Sequence, residues 1–532
     1  MTWRPEIRTL ADVPGIRAQT NPQKIAMICG DRRTTWAEFE ARTNRIGNGL
    51  IAFGVKPKDR IALLDQNSDT YFEILFGAFK AGAVPVTLNW RLAPPEIAYI
   101  LRDSGAGILF AGERHAALTK AASSGSPVRQ TIAIDGTLPG AFSLERWRAQ
   151  QSDEPPELAG AGPGDTAVQM YTSGTTGHPK GVEIPHQAFY ALRRAREEDK
   201  AHFDPELDWN DWNDNEVSLV AMPGFHISGS GWGIMSLYNG ACTIVLAQFD
   251  AGEVLRAIRE HRISKTVFVP TTIHQLLQHP DCAKTDFSSI RHLLYGASPI
   301  PLDLLREAIA TFKCGFVQVY GMTETTGAVT YLPAGDHDPR GNQRMRSAGK
   351  AMTGVKIDVR DASGKSLPPG ETGEIWIHSP SRMNGYWNLK EATAATLTQD
   401  GWVKTGDAGY LDEDGYVYVQ DRVKDMIVSG GENIYPAEVE SAIYGHPDVA
   451  EVAVIAVPDP KWGEAVKAIV VPKPGTNPDP ESIIAFARTR IGAYKVPKSV
   501  DFIAALPKNG TGKILKRELR EPYWKGFERR VN

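Results

Sequence analysis

A chain of 532 residues exceeds what one hydrophobic core ordinarily organises, so two or more structural units are expected. Its formal net charge of -4, with basic residues scattered along the chain, excludes the clustered positive footprint of a nucleic-acid partner. Cys29, Cys242, Cys282 and Cys314 lie far apart with no CxxC pair or neighbouring histidine pattern, which excludes a zinc ribbon or disulfide framework and fits a reducing, cytoplasmic setting.

The opening run MTWRPEIRTLADVPG lacks the apolar core of a signal peptide, and no later run is long enough to cross a bilayer, so membrane contact would be peripheral. From Ile25 to Phe110 short apolar runs alternate with amphipathic ones: RIALLDQN, YFEILFGAFKAG, AVPVTLN, PPEIAYILRDSG, AGILF. Strand and helix in turn predict a parallel sheet covered by helices. Next comes YTSGTTGHPKG, Tyr171 to Gly181, which combines hydroxyls, glycines and Lys180. Such a run lets backbone N–H groups, hydroxyls and a cation surround a phosphate, although an ordinary flexible turn has similar composition. It is not a Walker A loop, because two residues, not four, separate Gly174 from Gly177, and Gly181 follows the lysine.

Glu197 to Glu216 is acidic and carries Trp209 and Trp212; it reads either as a solvated surface loop or as a lid over a substrate entrance. A second strand–helix series runs from Val217 to about Val319. Short strands with Gly, Pro and Asp turns from Lys356 to Val419 predict a small β subdomain. After Asp425 come a helix pattern (YPAEVESAIYGHPDV), two apolar strands and a helix near Pro480 to Ile491, a compact C-terminal domain. The fold class is therefore α/β: a large N-terminal domain of two α/β subdomains plus a small β subdomain, then a small α+β domain.

Six stretches in order, YTSGTTGHPKG, GFHISGSGWG, YGASPIP, VYGMTETTG, the Gly401–Glu440 region with KTGD, DRVKD and SGGENIYPAEVE, and PKNGTGKILKREL, resemble the acyl-adenylate-forming superfamily. The wording is most similar to bacterial fatty-acyl and aryl carboxylate–CoA ligases. That resemblance implies ATP, Mg²⁺ and coenzyme A as reactants, with acyl-AMP formed first and a thiol displacing AMP second. It implies a phosphate loop of Thr172, Ser173, Gly174, Thr175, Thr176 and Lys180. Gly296, Ala297, Ser298, Tyr320 and Gly321 would form an adenine slot, Asp407 and Arg422 would reach the ribose, and Thr323 the α-phosphate. Glu324, with Thr176, would hold magnesium, which prefers a hard carboxylate beside phosphate oxygens. Lys513 would span carboxylate and α-phosphate, cancelling the repulsion of two anions. The resemblance also implies domains of 1–423 and 424–532, a mobile C-terminal domain hinged at about Lys424, and a pantetheine tunnel lined by Gly430, Gly431 and Glu432.

His226 stands where amino-acid-activating relatives carry an aspartate, which disfavours an amino acid substrate; it is either a pocket residue or a structurally satisfied one. Ile227, Ser230 and Trp232, with Ile234 and Met235, predict an uncharged pocket in which Trp232 either shortens the space or packs in the core. A medium- to long-chain fatty acid leads, with an aromatic or short substituted acid, or a carrier-protein thiol acceptor, as alternatives. A homodimer is the default assembly.

Overall fold

The computed structural model describes residues 4–157, 161–172, 178–199, 205–213, 215–422, 425–429, 432–508 and 514–525. Two large sheets dominate. In one, eight strands run in the order Gly385–Tyr386, Lys180–Pro185, Thr166–Thr172, Val84–Thr87, Arg60–Leu64, Ile108–Ala111, Gln130–Ala133, Phe142–Ser143. In the other, nine strands centre on the parallel set His292–Gly296, Lys265–Phe268, Val217–Val220 and Cys242–Val245. The two strand–helix series thus become two α/β layers, as expected. They depart from a purely parallel design at their edges, where Thr166–Thr172 pairs antiparallel with Lys180–Pro185 and Gly315–Met322 with Gly327–Leu332.

Ile25–Cys29 pairs with Cys242–Val245, so this early strand belongs to the second sheet and not to the series it precedes. Between the layers runs the helix Asp69–Lys80, in which every residue but Thr70 is buried. A helix apolar on all sides has to be enclosed. Ser68 caps it by accepting the Tyr71 N–H at 2.9 Å. Its three buried charges are neutralised, Asp69 by Arg32, Glu73 by Arg42 and Arg148, and Lys80 by Glu40. From its first turn the Tyr71 hydroxyl donates to the Gly224 carbonyl at 2.7 Å, tying the helix to the GFHIS segment.

A four-stranded antiparallel sheet, Lys356–Arg360, Gly373–His378, Trp402–Leu411 and Val417–Arg422, forms the β subdomain. The C-terminal domain holds five strands, with Val449–Asp459 and Gly463–Pro472 as its central hairpin and the helices Pro436–Tyr444 and Pro480–Arg488. Among the described residues no helix is long and apolar enough to cross a membrane.

Around its two tryptophans the segment is not a solvated loop. Trp209 and Trp212 are 6% and 4% exposed. Beneath them lies the fully buried Lys265, whose ammonium donates to the carbonyls of Trp209, at 2.8 Å, and Asp211, and sits 4.8 Å from the Trp212 ring. Burial pushes this lysine down to about 8, while Glu216 at 3.8 Å favours its charge. Arg193 donates to Asn210 at 2.8 Å and Arg196 pairs with Asp211 at 2.7 Å. Acidic composition concealed a clamp. Lys265→Met should therefore lower unfolding free energy by roughly 3 kcal/mol, because two buried carbonyls lose their donor and Glu216 loses one of its two cationic neighbours, keeping Arg291 at 3.0 Å. Denaturant titration checks this; a loss below ~1 kcal/mol contradicts the clamp.

Candidate active site

The strands Gly315–Met322 and Gly327–Leu332 close around a single 3₁₀ turn, Thr323–Thr325. They approach so closely that a Cβ on Gly321 would lie 1.8 Å from the Gly327 carbonyl oxygen, which is why that position must be glycine. The turn presents Tyr320, Thr323 and Glu324 at the carboxyl end of the sheet, where α/β sheets hold their ligands. Gly296, on the neighbouring strand, is equally tight, 2.1 Å from the Val319 carbonyl for an added Cβ. Ala297 follows at φ 67°, left-handed and costing roughly 1–2 kcal/mol for a non-glycine residue. Strain of this kind gathers at functional sites.

Tyr320 donates its hydroxyl to Asp407 at 2.6 Å. Asp407 is buried within Trp402–Leu411, in register with Arg422 of the adjacent strand, so it is not a loose turn residue. The structure thus brings together Tyr320, Asp407 and the Arg422 backbone from distant parts of the chain. Thr172 and Lys180 face each other as the last and first strand residues flanking the phosphate loop. Lys180 holds its ammonium 4.4 Å over the Tyr386 ring, and buried Glu324 accepts the Tyr386 hydroxyl at 2.7 Å. Tyr386 was not singled out from the sequence; the only signal was an aromatic pair after Gly385 in MNGYWN.

Ser173, Gly174, Thr175, Thr176, Lys424, Gly430, Gly431 and Lys513 lie outside the described residues, as does the Arg422 side chain. Ser298 is half-buried and Glu432 exposed, on a short strand paired with Ser429. No three His, Cys, Asp or Glu residues among those described gather into a metal cage. One hard carboxylate, Glu324, whose tyrosine partner also carries the Lys180 ammonium over its ring, suits Mg²⁺, which relies on one or two carboxylates plus substrate phosphates.

On the acyl side, Ile227–Gly231 forms one π-helical turn before the helix Trp232–Asn239, a distortion frequent at functional sites. His226 precedes it, half-buried, and desolvation of its ring, aided by the nearby Arg91 charge, pushes its imidazole down to about 3. Its Nε2 has no hydrogen-bond partner among the described residues. Ile227 reaches towards Gly327, placing it next to the Thr323–Thr325 turn. Ser230 corrects the expected pocket: it is fully buried, with its hydroxyl committed to the Gly224 carbonyl and Tyr71. Trp232 is half-buried, and its ring lies 5.4 Å from Trp212.

Against known proteins, the profile described as AMP-binding enzyme matches residues 16–387, and that described as AMP-binding enzyme C-terminal domain matches 438–513. The chain is 40% identical to the fatty acid–[acyl-carrier-protein] ligase ScoC of Streptomyces coeruleorubidus, over 99% of both chains. It is 40% identical to a feruloyl-CoA synthase of Amycolatopsis sp, over 97% of this chain and 99% of that one. Among solved structures, ATP-bound MatB from Rhodopseudomonas palustris is similar with a TM-score of 0.85 and 30% identity, covering 97% of this chain and 100% of that one.

The histidine has a pH signature. Its folded pKa lies below the ordinary value near 6.5, so the unfolded chain binds the proton more tightly. The stability tied to neutral His226 is therefore complete above about pH 6.5 and is lost as pH falls towards 3. Melting temperatures measured from pH 7.5 to 4.5 should fall less steeply for His226→Gln than for the native protein. Parallel curves would contradict it.

Proposed function

The chain belongs to the AMP-binding enzyme family, and on that footing we propose that it is an ATP-dependent carboxylate–CoA ligase. The observation that carries this reading is the Tyr320–Asp407 hydrogen bond, on the strand that pairs with Gly296, together with Lys180 and Glu324 meeting at Tyr386. That arrangement suits a flat purine against Tyr320, ribose hydroxyls donating to Asp407, and polyphosphate beside the lysine.

In the first step a carboxylate oxygen attacks the α-phosphorus, forming acyl-AMP and expelling pyrophosphate. Two anions meet there, so placed cations and donors must offset their repulsion as charge builds in the transition state. Lys513 is assigned to that position, with Thr323 donating to the α-phosphate. Magnesium held on Glu324, with Thr176, would neutralise phosphate charge. In the second step the CoA sulfur attacks the acyl carbon and AMP leaves. The C-terminal domain, from about residue 424, turns on Lys424 between steps and brings Gly430, Gly431 and Glu432 to the pantetheine path.

For the acid, a medium- to long-chain fatty acid is the first reading. Ile227 and the neutral His226 offer no charged partner, and the relative from Streptomyces coeruleorubidus is named for a fatty acid. A second reading, an aromatic or short substituted acid, is favoured by the Trp232–Trp212 contact, which sets a rigid double indole where a long tail would extend. A carrier-protein thiol in place of free CoA is the alternative acceptor.

Pyrophosphate release across acetate to palmitate, benzoates and cinnamates separates the readings: rates rising with chain length support the first, a maximum on cinnamates or short acids the second. CoA-dependent release of AMP supports free CoA as acceptor; none, with AMP appearing only beside a carrier protein, contradicts it. Lys513→Ala should cut acyl-AMP formation by about 10²-fold or more, because a transition-state contact is removed. Near-normal pyrophosphate release in that variant would overturn its role. Lys424→Pro should spare pyrophosphate release and slow thioester formation, since proline restricts the torsion used in rotation. Equal loss in both half-reactions would overturn the hinge.

A further inference from the structure

Glu324 and Lys180 bear opposite charges, face the same tyrosine, and make no ion pair with each other among the described residues. A direct pair between them would consume the charges that nucleotide and metal need. Tyr386 stands between them. Its hydroxyl donates to Glu324 Oε1 at 2.7 Å, while its ring face lies 4.4 Å from the Lys180 ammonium. The aromatic face attracts the cation without delivering an anion, and the hydroxyl steadies one carboxylate oxygen without neutralising it.

The backbone makes this placement firm. Gly385–Tyr386 is the edge strand laid against Lys180–Pro185, with Tyr386 opposite Val182. Its N–H donates to the Thr393 hydroxyl at 2.9 Å. On one side Met383 donates its N–H to the Glu324 carbonyl at 2.8 Å, and on the other Trp387 donates its N–H to the Gly181 carbonyl at 2.8 Å. Trp387 is itself pinned, its indole N–H on the Asp103 carbonyl at 2.9 Å and the Arg60 guanidinium 3.4 Å over its ring. One short strand therefore links the 3₁₀ turn that carries the carboxylate to the hairpin that carries the phosphate loop.

The geometry points to Tyr386 as a positioning residue that holds Glu324 open towards a nucleotide-bound divalent cation and keeps Lys180 from pairing with it. This rests on the proposed reading of Glu324 as the magnesium ligand. With the hydroxyl removed, Glu324 loses its anchor and turns towards Lys180, so the metal-bound form of the nucleotide suffers more than the metal-free form.

Calorimetric titration of the full chain with ATP, once with excess Mg²⁺ and once with EDTA, tests it. Tyr386→Phe should weaken Mg·ATP binding by about 10-fold while metal-free ATP changes less than about two-fold. In a Lys180→Met background the Tyr386→Phe penalty should shrink, because the competing cation is gone. Equal weakening with and without magnesium, or Mg·ATP affinity within two-fold of native, would overturn the proposal. If the native protein itself binds both forms alike, the magnesium reading of Glu324 fails and takes the inference with it. Replacing Tyr386 by 3-fluorotyrosine keeps ring and hydroxyl: its fluorine resonance should move further with Mg·ATP than with metal-free ATP. An unmoved resonance would overturn the proposal even if the phenylalanine variant does not fold.

Discussion

A buried carboxylate, Glu324, and a half-buried ammonium, Lys180, meet at one tyrosine without pairing with each other, and the arrangement of this region follows from that constraint. Glu324 sits on a 3₁₀ turn of the nine-stranded sheet and Lys180 on an edge hairpin of the eight-stranded one. Each sheet delivers one charge, and the Gly385–Tyr386 strand sets the spacing between them. Chemistry that joins two anions needs cations that remain available, and preorganised charge in a low-dielectric site is far more effective than the same charge in water.

Holding two sheets in register demands rigid material between them. The enclosed helix Asp69–Lys80 supplies it, with its polar residues neutralised and its Tyr71 hydroxyl fixing Gly224. On the far side the Lys265 clamp immobilises Trp209 and Trp212, and Trp212 in turn backs Trp232. The region around Tyr320 is built from backbone closeness at Gly296 and Gly321; the region around Trp232 is built from aromatic bulk. These are different kinds of construction, and the second tolerates variation more readily, because side-chain volume changes without moving a strand.

Much of this was legible beforehand. Hydrophobic periodicity located the helices and strands of both series, and the resemblance carried by the ordered motifs named Tyr320 and Asp407, which a hydrogen bond joins. What escaped had a common cause. Periodicity reports which residues are buried, not against what, so Ile25–Cys29 joined a sheet other than its neighbours'. Composition reports net character, so the acidic run around Trp209 read as solvated while a buried lysine from a strand more than fifty residues on organised it from beneath. Ser230 read as pocket lining because its partner, Tyr71, lies 159 residues away. Tyr386 left no mark because its role depends on two side chains that only the fold brings near. Local pattern carries local structure; partnerships across the chain need the packing.

Acid-dependent exchange of labelled pyrophosphate into ATP, measured without any thiol, tests the central claim most directly. Reversible adenylation predicts exchange that requires both the acid and magnesium, with AMP accumulating only after a thiol is added. Hydrolysis of ATP to ADP and orthophosphate, with no exchange for any acid, would contradict it.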